Sequence, residues 1–117
     1  MKIVTWNVNS INVRKNQLLE LINYHSPDVI CLQETKVINS SFPQKPFIEQ
    51  GYNCFLNGVP SYNGVAILSK VPVKNFQIHD YCKKNDGRHI EINISGLKIH
   101  SIYVPAGGDE PVEEINP

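Results

Sequence analysis

Three polar side chains follow two predicted strands at the points where those strands end. Asn7 and Asn9 come at the end of the first strand, and Glu34 comes at the end of the second. Ligands of open α/β sheets bind beyond the carboxyl ends of the strands, and neighbouring strands lie about 5 Å apart. A lone carboxylate beside neutral amides suits Mg²⁺, which completes its shell with water and substrate phosphate. Position alone leaves a second interpretation open, in which both Asn side chains bond within their loop and Glu34 is solvated.

The two strands are predicted to belong to one β-α-β unit. Residues 2–8 alternate between apolar and polar side chains, which is typical of a strand. Helical spacing begins at Asn12 or Val13 and ends at Ser26-Pro27, because proline disfavours helical backbone in the residue before it. Residues 28–33 are almost continuously apolar, as in a strand covered on both faces. We therefore expect two parallel strands joined by a right-handed crossover. The apolar stripe of the helix consists of Val13, Leu18, Leu21, Ile22 and Tyr24.

The second part of the chain is predicted to form short strands at hairpin spacing. Residues 37–50 contain prolines, serines and asparagines, which indicate a loop with one helical turn around Phe47. Asn-Gly, Asp-Gly and Ser-Gly pairs then separate the strands and supply the positive φ that tight turns require. These five strands are residues 52–56, 64–69, 73–79, 88–94 and 97–104. Residues 105–117 hold three prolines and four acids, so we expect a loop or a frayed tail there.

Composition limits the class of protein. A chain of 117 residues forms one ordinary domain, and 11 basic against 11 acidic side chains leave no excess charge to hold a polyphosphate non-specifically. No apolar run reaches the roughly 18 to 20 residues that span a bilayer. We therefore expect a soluble, cytoplasmic protein with no membrane partner. Three cysteines without a CxxC pair exclude a self-contained disulfide framework and a zinc site of standard spacing. Cys31 lies in an apolar run and is expected in the core.

Several ordered motifs cover essentially the whole chain. The first two are KIVTWNVNSI at residues 2–11 and DVICLQETK at residues 28–36. The others are GY at 51–52, NGVAILSK at 63–70, GR at 87–88 and IYVP at 102–105. Together they closely resemble the exodeoxyribonuclease III family, the class II apurinic/apyrimidinic endonucleases of the endonuclease/exonuclease/phosphatase superfamily, in the family's order and at its approximate spacing.

The resemblance implies metal-site roles for three residues. Glu34 matches the metal-binding and catalytic glutamate of the family, and Asn7 matches the amide that supports the metal site. Asn9 lies where relatives carry Asp or Asn near the metal, and we expect it to contact the substrate. The implied cofactor is Mg²⁺, with Mn²⁺ as a substitute.

The resemblance also implies four residues that face the substrate. Tyr103 matches the tyrosine whose hydroxyl faces the scissile phosphate, although a strand tyrosine packed in the core is the simpler interpretation of its position. Lys36 and Arg88 match positions close to the DNA or to the metal-site carboxylate, and either could instead be a solvated charge. Tyr62 resembles an aromatic residue on a DNA-facing loop, and a plain turn residue is the alternative.

The implied fold is a DNase I-like four-layer α/β sandwich, of which residues 1–117 would supply the N-terminal half. The implied reaction is the attack of water on a phosphodiester of duplex DNA, at an abasic site or a 3′ end. We expect this chain to supply mainly one sheet and the β-α-β layer, with one apolar sheet face exposed. A nucleotide-binding Rossmann half-domain is disfavoured because no GxGxxG follows the first strand.

The chain departs from the family pattern in its later motifs. It has neither a Gly-Asp-x-Asn strand end nor a Ser-Asp-His, and Gly108-Asp109 continues as Glu110-Pro111. The four histidines, none of which follows Ser-Asp, are expected to be strand or surface residues. We therefore expect a nuclease fragment that is nearly inactive alone. The alternatives are a non-catalytic module that binds metal or DNA weakly, a half that pairs with a separate C-terminal half, and a related phosphoesterase fragment.

Overall fold

The β-α-β unit expected at the start of the chain is present in the computed structural model, which describes residues 1–80 and 85–104. Its elements are β1 (Ile3–Asn7), α1 (Ile11–His25) and β2 (Val29–Gln33). The two strands are parallel, with Ile3 opposite Val29 and Asn7 opposite Gln33. Because the carboxyl ends of both strands reach the same edge, the residues that follow them meet there.

The remaining elements are short. They are a 3-10 helix (Asn39–Ser41), α2 (Lys45–Glu49), β3 (Asn53–Asn57), β4 (Val65–Ser69), β5 (Asn75–Ile78), β6 (His89–Ile94) and β7 (Leu97–Ile102). The first sheet has the order β1-β2-β4-β3, and the second sheet has the order β5-β6-β7. All pairs except β1 with β2 are antiparallel. Each predicted strand is confirmed, with ends that differ by at most two residues.

Helices and the second sheet cover opposite faces of the first sheet. On one face α1 and α2 pack onto β2 and β4, through buried side chains that include Leu18, Phe47 and Leu32. On the other face the second sheet contributes Ile90 and Ile92. The expectation of mainly one sheet with an exposed apolar face was therefore wrong. Residues 75–102 form a separate sheet that buries the second face of the first sheet. The prediction failed because strand pattern alone does not say which sheet a strand joins.

The apolar stripe of α1 is narrower than the sequence suggested. Its buried residues are Ile11, Leu18 and Ile22, whereas Val13 is 64% exposed and Tyr24 is 87% exposed. At about 100° per residue, these two side chains point roughly 120–140° away from Leu18. They were therefore wrongly included in the stripe.

Cys31 is 4% exposed, as expected, and burial raises the pKa of its thiol to about 11. Cys82 and residues 105–117, where a loop or frayed tail was expected, lie outside the described residues. Within the described part of the chain, neither helix has the length and apolar character required to cross a bilayer.

Backbone hydrogen bonds continue beyond the strand ends and join four loops. The bonds run from Ser10 N to Glu34 O at 2.8 Å, from Thr35 N to Gly64 O at 3.0 Å, and from Gly64 N to Gly87 O at 2.9 Å. The loops after β1 and β2 are thereby fixed to the turn before β4 and to the turn before β6. Gly64 takes part in two of these bonds, at a φ of +91°.

Gly64→Ala is expected to destabilise the fold more than Gly96→Ala. Both glycines have similar positive φ, +91° and +89°, but a Cβ at Gly64 would overlap Thr35 Oγ1 and one at Gly96 would meet no atom within 4 Å. Each replacement costs about 1–2 kcal/mol for left-handed backbone, and Gly64→Ala adds about 1–3 kcal/mol of overlap. Urea unfolding of the two variants measures the difference, and equal free energies of unfolding would contradict this account of Gly64.

Candidate metal centre at the ends of β1 and β2

The Glu34 carboxylate is held by the side chain that ends the neighbouring strand. Asn7 Nδ2 donates a hydrogen bond of 2.6 Å to Glu34 Oε2. Lys36 Nζ lies 3.8 Å from Glu34 Oε1, which is an ion-pair distance rather than a hydrogen bond. The Glu34 side chain is 22% exposed, so it is open to an ion from solvent but does not rotate freely.

Asn9 and Lys36 complete this cluster. The Asn9 backbone N–H donates to Asn7 Oδ1 at 3.1 Å, and Lys36 Nζ donates to Asn9 Oδ1 at 2.6 Å. The bond between Asn9 and Asn7 is the loop hydrogen bond that the sequence left open as an alternative. It orients the Asn7 amide so that the nitrogen faces Glu34. The structure brings Asn7, Asn9 and Glu34 together, as their positions at the strand ends predicted, and Lys36, which only the family resemblance had suggested, lies beside them.

Four residues of the two loops have left-handed or related positive-φ backbone without being glycine. They are Asn9 (φ 47°), Ser10 (φ 90°), Glu34 (φ 55°) and Lys36 (φ 61°). Such conformations cost on the order of 1–3 kcal/mol each and persist only where the surroundings hold them. Here the bonds between the loops do so, including Lys36 N to Asn63 O at 2.9 Å. Strain of this kind concentrates at functional sites.

The cluster fits a hard divalent cation. Mg²⁺ takes one or two carboxylates and keeps several waters, and Glu34 offers one carboxylate at the rim of the sheet. In this geometry the Asn7 oxygen accepts the Asn9 N–H. Asn7 would therefore act on a bound ion by orienting Glu34, and the Lys36 ammonium would lie beside that carboxylate.

Tyr103 and Arg88 lie together at the same end of the second sheet. Tyr103 N donates to Arg88 O at 2.8 Å, and Arg88 Nε forms an ion pair of 2.9 Å with Asp86 Oδ2. Both residues line a cavity of about 190 Å³ that also includes Asp86. Tyr103 is half-buried and packs against the core between the sheets. The alternative prediction, a strand tyrosine packed in the core, is therefore partly correct.

A polar bridge fixes the Tyr103 end of β7 to the Glu34 end of β2. Gln33 Nε2 donates to Ser101 Oγ at 3.0 Å, and Ser101 Oγ donates to Leu32 O at 2.9 Å. Gln33 directly precedes Glu34, and Ser101 is two residues before Tyr103. Sequence reasoning missed this bridge, although a glutamine and a serine on the inward face of apolar strands were the available signal.

Tyr62 is the least constrained of the expected substrate residues. Its side chain is 55% exposed, and its backbone N–H donates to Pro60 O at 2.8 Å within a turn. The next residue, Asn63, donates from Nδ2 to Asp86 O at 2.8 Å and so holds this loop to the Arg88 turn. The structure places Tyr62 on a loop beside the cluster, with its ring towards solvent.

Comparison with known proteins identifies the family. Residues 4–111 match the model of the Endonuclease/Exonuclease/phosphatase family. Exodeoxyribonuclease III of Haemophilus influenzae is 40% identical over 70 residues, which are 60% of this chain and 26% of that protein. A solved 3′ phosphatase NExo variant from Neisseria, bound to a product DNA hairpin, superposes with a TM-score of 0.83 and 35% identity over 88% of this chain and 41% of its own.

An AP endonuclease structure from Archaeoglobus fulgidus gives a TM-score of 0.82 and 36% identity, over 90% of this chain and 41% of its own. The chain thus spans well under half the length of these three relatives. Its fold superposes on those of the two solved relatives over most of its own length. The chain belongs to the endonuclease/exonuclease/phosphatase family and has the DNase I-like α/β fold of its exodeoxyribonuclease III and AP endonuclease relatives, in the part that its residues cover.

Proposed function

We propose that this chain supplies the Glu34 side of a Mg²⁺-dependent site that hydrolyses phosphodiesters of duplex DNA. The observation that carries the proposal is the 2.6 Å hydrogen bond from Asn7 Nδ2 to Glu34 Oε2 at the shared carboxyl edge of β1 and β2. The other oxygen, Glu34 Oε1, lies 3.8 Å from Lys36 Nζ, which is an ion-pair distance rather than a hydrogen bond. A carboxylate that is oriented through one oxygen and only loosely paired through the other is suited to hold a cation.

The residues around Glu34 have complementary roles in this proposal. Lys36 and Asn9 bind the phosphate side of the substrate, and Arg88 adds a second positive charge at the cavity beside Tyr103. The Tyr103 hydroxyl donates a hydrogen bond to a phosphate oxygen, and Tyr62 contacts the DNA from its exposed loop. A Mg²⁺ ion held by Glu34 would neutralise the charge that develops on the phosphate and on the leaving oxygen. Mn²⁺ can substitute for it.

The substrate class rests on the relatives. One solved relative is bound to a product DNA hairpin, and others are named exodeoxyribonuclease III and AP endonuclease. We propose that the substrate is duplex DNA with an abasic site or a free 3′ end. The chain contains neither Gly-Asp-x-Asn nor Ser-Asp-His, so the group that activates water comes from a complementary C-terminal half. Each acid or base group contributes about 10²–10⁴ in rate, and residues 1–117 alone are accordingly nearly inactive.

Glu34→Gln is expected to weaken Mn²⁺ binding to the 117-residue chain by at least about tenfold, because it removes the charged oxygen ligand while keeping the side-chain shape. Electron paramagnetic resonance of free Mn²⁺ measures the affinity, with Mg²⁺ as competitor. Glu20→Gln, at an exposed position of α1, is the matched control and should bind as the parent does. Equal affinities of both variants would place the cation elsewhere.

Incision of an abasic duplex is expected only when the chain is mixed with the remaining part of exodeoxyribonuclease III from Haemophilus influenzae. The mixture should lose this activity when Glu34 is replaced by Gln. Gel electrophoresis of a labelled duplex with Mg²⁺ measures the product. Incision by residues 1–117 alone at ordinary enzyme rates would contradict the need for a second half. A folded mixture that cleaves p-nitrophenyl phosphate but not DNA would instead favour a phosphoesterase.

A further inference from the structure

Three histidines meet on the outer face of the second sheet, away from the Glu34 cluster. The ring-nitrogen ligand atoms of His79, His89 and His100, one from each residue, all lie within 4.8 Å of one another. His89 Nε2 and His100 Nδ1 are 2.8 Å apart, and the ring centroids of His79 and His89 are 4.4 Å apart. We call these three residues the histidine cluster.

Sheet register brings the histidine cluster together. The chain positions are ten and eleven residues apart, which is not a spacing of any standard metal motif. His100 of β7 lies opposite Glu91 of β6, His89 begins β6, and His79 N donates to His89 O at 3.3 Å. Two of the side chains therefore come from the adjacent strands β6 and β7, and the third comes from the residue that follows β5. They lie on the face opposite the buried Ile90 and Ile92.

A carboxylate holds one ring of the cluster. Glu91 Oε1 is 2.7 Å from His79 Nε2 and 4.0 Å from His100 Nδ1. The Glu91 side chain is only 10% exposed, and its hydrogen bond with His79 lowers the pKa of the carboxyl. Histidine ligands commonly donate their second ring nitrogen to such a carboxylate, which sets the ring orientation and raises ligand basicity. Lys98 Nζ is 4.0 Å from Glu91 Oε2 but belongs to a 64% exposed side chain, which can turn to solvent.

We propose that the histidine cluster binds one transition-metal ion such as Zn²⁺. In this proposal Glu91 positions the His79 ring and offsets part of the positive charge of the ion. Zinc–imidazole bonds of about 2.0–2.1 Å in a tetrahedron place ligand nitrogens roughly 3.3 Å apart. In the cluster, two ligand nitrogens are 2.8 Å apart and all three lie within 4.8 Å of one another, so side-chain rotations would bring them to that value. With His79 Nε2 bonded to Glu91, Nδ1 would be the ligand atom of His79. One of the two rings, His89 or His100, carries the hydrogen of the bond between them. When an ion binds between the two rings, that hydrogen moves to the other nitrogen of the ring that carries it.

The chemistry of the cluster separates it from the Glu34 site. Imidazole nitrogens favour zinc, copper, iron and nickel, whereas carboxylate and carbonyl oxygens favour magnesium. Burial, together with His79 and His100, lowers the pKa of His89. His79 and His89 also line the cavity that Arg88 and Tyr103 share. An ion held by the cluster would thus stand at the wall of that cavity.

Isothermal titration of the 117-residue chain with Zn²⁺ tests the proposal. We expect one ion per chain. Loss of a residue that only supports a metal ligand costs roughly 10- to 100-fold in affinity, and His100→Ala, which removes a ligand, should lose more than that. Glu91→Gln should fall within that range. His25→Ala removes a histidine of α1 outside the cluster, Glu34→Gln removes the other site, and Cys82→Ser removes a thiol that could bind zinc. These three controls should bind as the parent does.

Thermal unfolding provides a readout that does not depend on heat of binding. An ion that binds only the folded chain raises the midpoint, so Zn²⁺ should raise it in the parent and in His25→Ala but not in His100→Ala. Circular dichroism without zinc checks that His100→Ala is folded, which is expected because this side chain is 38% exposed. Should that variant unfold, His100→Gln replaces it. Unchanged Zn²⁺ affinity in the folded His100 variant, or no binding by the parent, would overturn the proposal.

Discussion

The in-register parallel pairing of β1 with β2 is the constraint on which the candidate site depends. The pairing places Asn7 opposite Gln33, and it continues beyond the strands through Val8 N to Gln33 O and Ile11 N to Thr35 O. A shift by one residue would turn every side chain of one strand to the opposite face. The Asn7 amide would then leave Glu34. The meeting of Asn7 and Glu34 is thus a consequence of strand register more than of loop sequence.

Burial on both faces of the first sheet maintains that register. All five residues of β4 are buried, as are four of the five in β2. Ile30 and Leu32 contribute to the core under the helices, whereas Val29 and Cys31 contribute to the core between the sheets. A one-residue register shift would exchange these two sets between cores of different shape. Close-packed interiors resist such exchanges, because volume changes of a single methylene are felt. The strained loops can persist at the end of a strand that has so little freedom.

Local pattern predicted the elements well because their signals are local. Alternation, the apolar run of β2 and the Gly-containing turns each depend on a few consecutive residues, and the Ser95-Gly96 hairpin is present with φ values of 48° and 89°. The convergence of Asn7 and Glu34 followed from the parallel topology alone. The roles of individual residues rested on resemblance to known proteins.

Long-range partners could not be predicted in this way. The pattern of residues 75–102 does not indicate that they leave the first sheet, because a half-buried strand has the same apolar–polar alternation in either sheet. The contact between Gln33 and Ser101 and the meeting of the three histidines depend on register between distant strands. Val13 and Tyr24 were misassigned for a different reason, since an apolar residue on a helix need not be on its buried side. Sequence pattern identifies the strands and helices themselves well. It identifies less well which of them pair with one another.

The Gln33–Ser101 bridge also bears on the order in which the molecule assembles. It joins residues that are 68 positions apart, whereas β1 and β2 meet across a single helix. Closing a longer loop costs more chain entropy, and contacts of high sequence separation slow folding. The Glu34 edge can therefore form early as a local unit, and the Tyr103 edge joins it only after the last described strand has docked. On a ribosome, the two edges of the site would be completed at different times during synthesis of the chain.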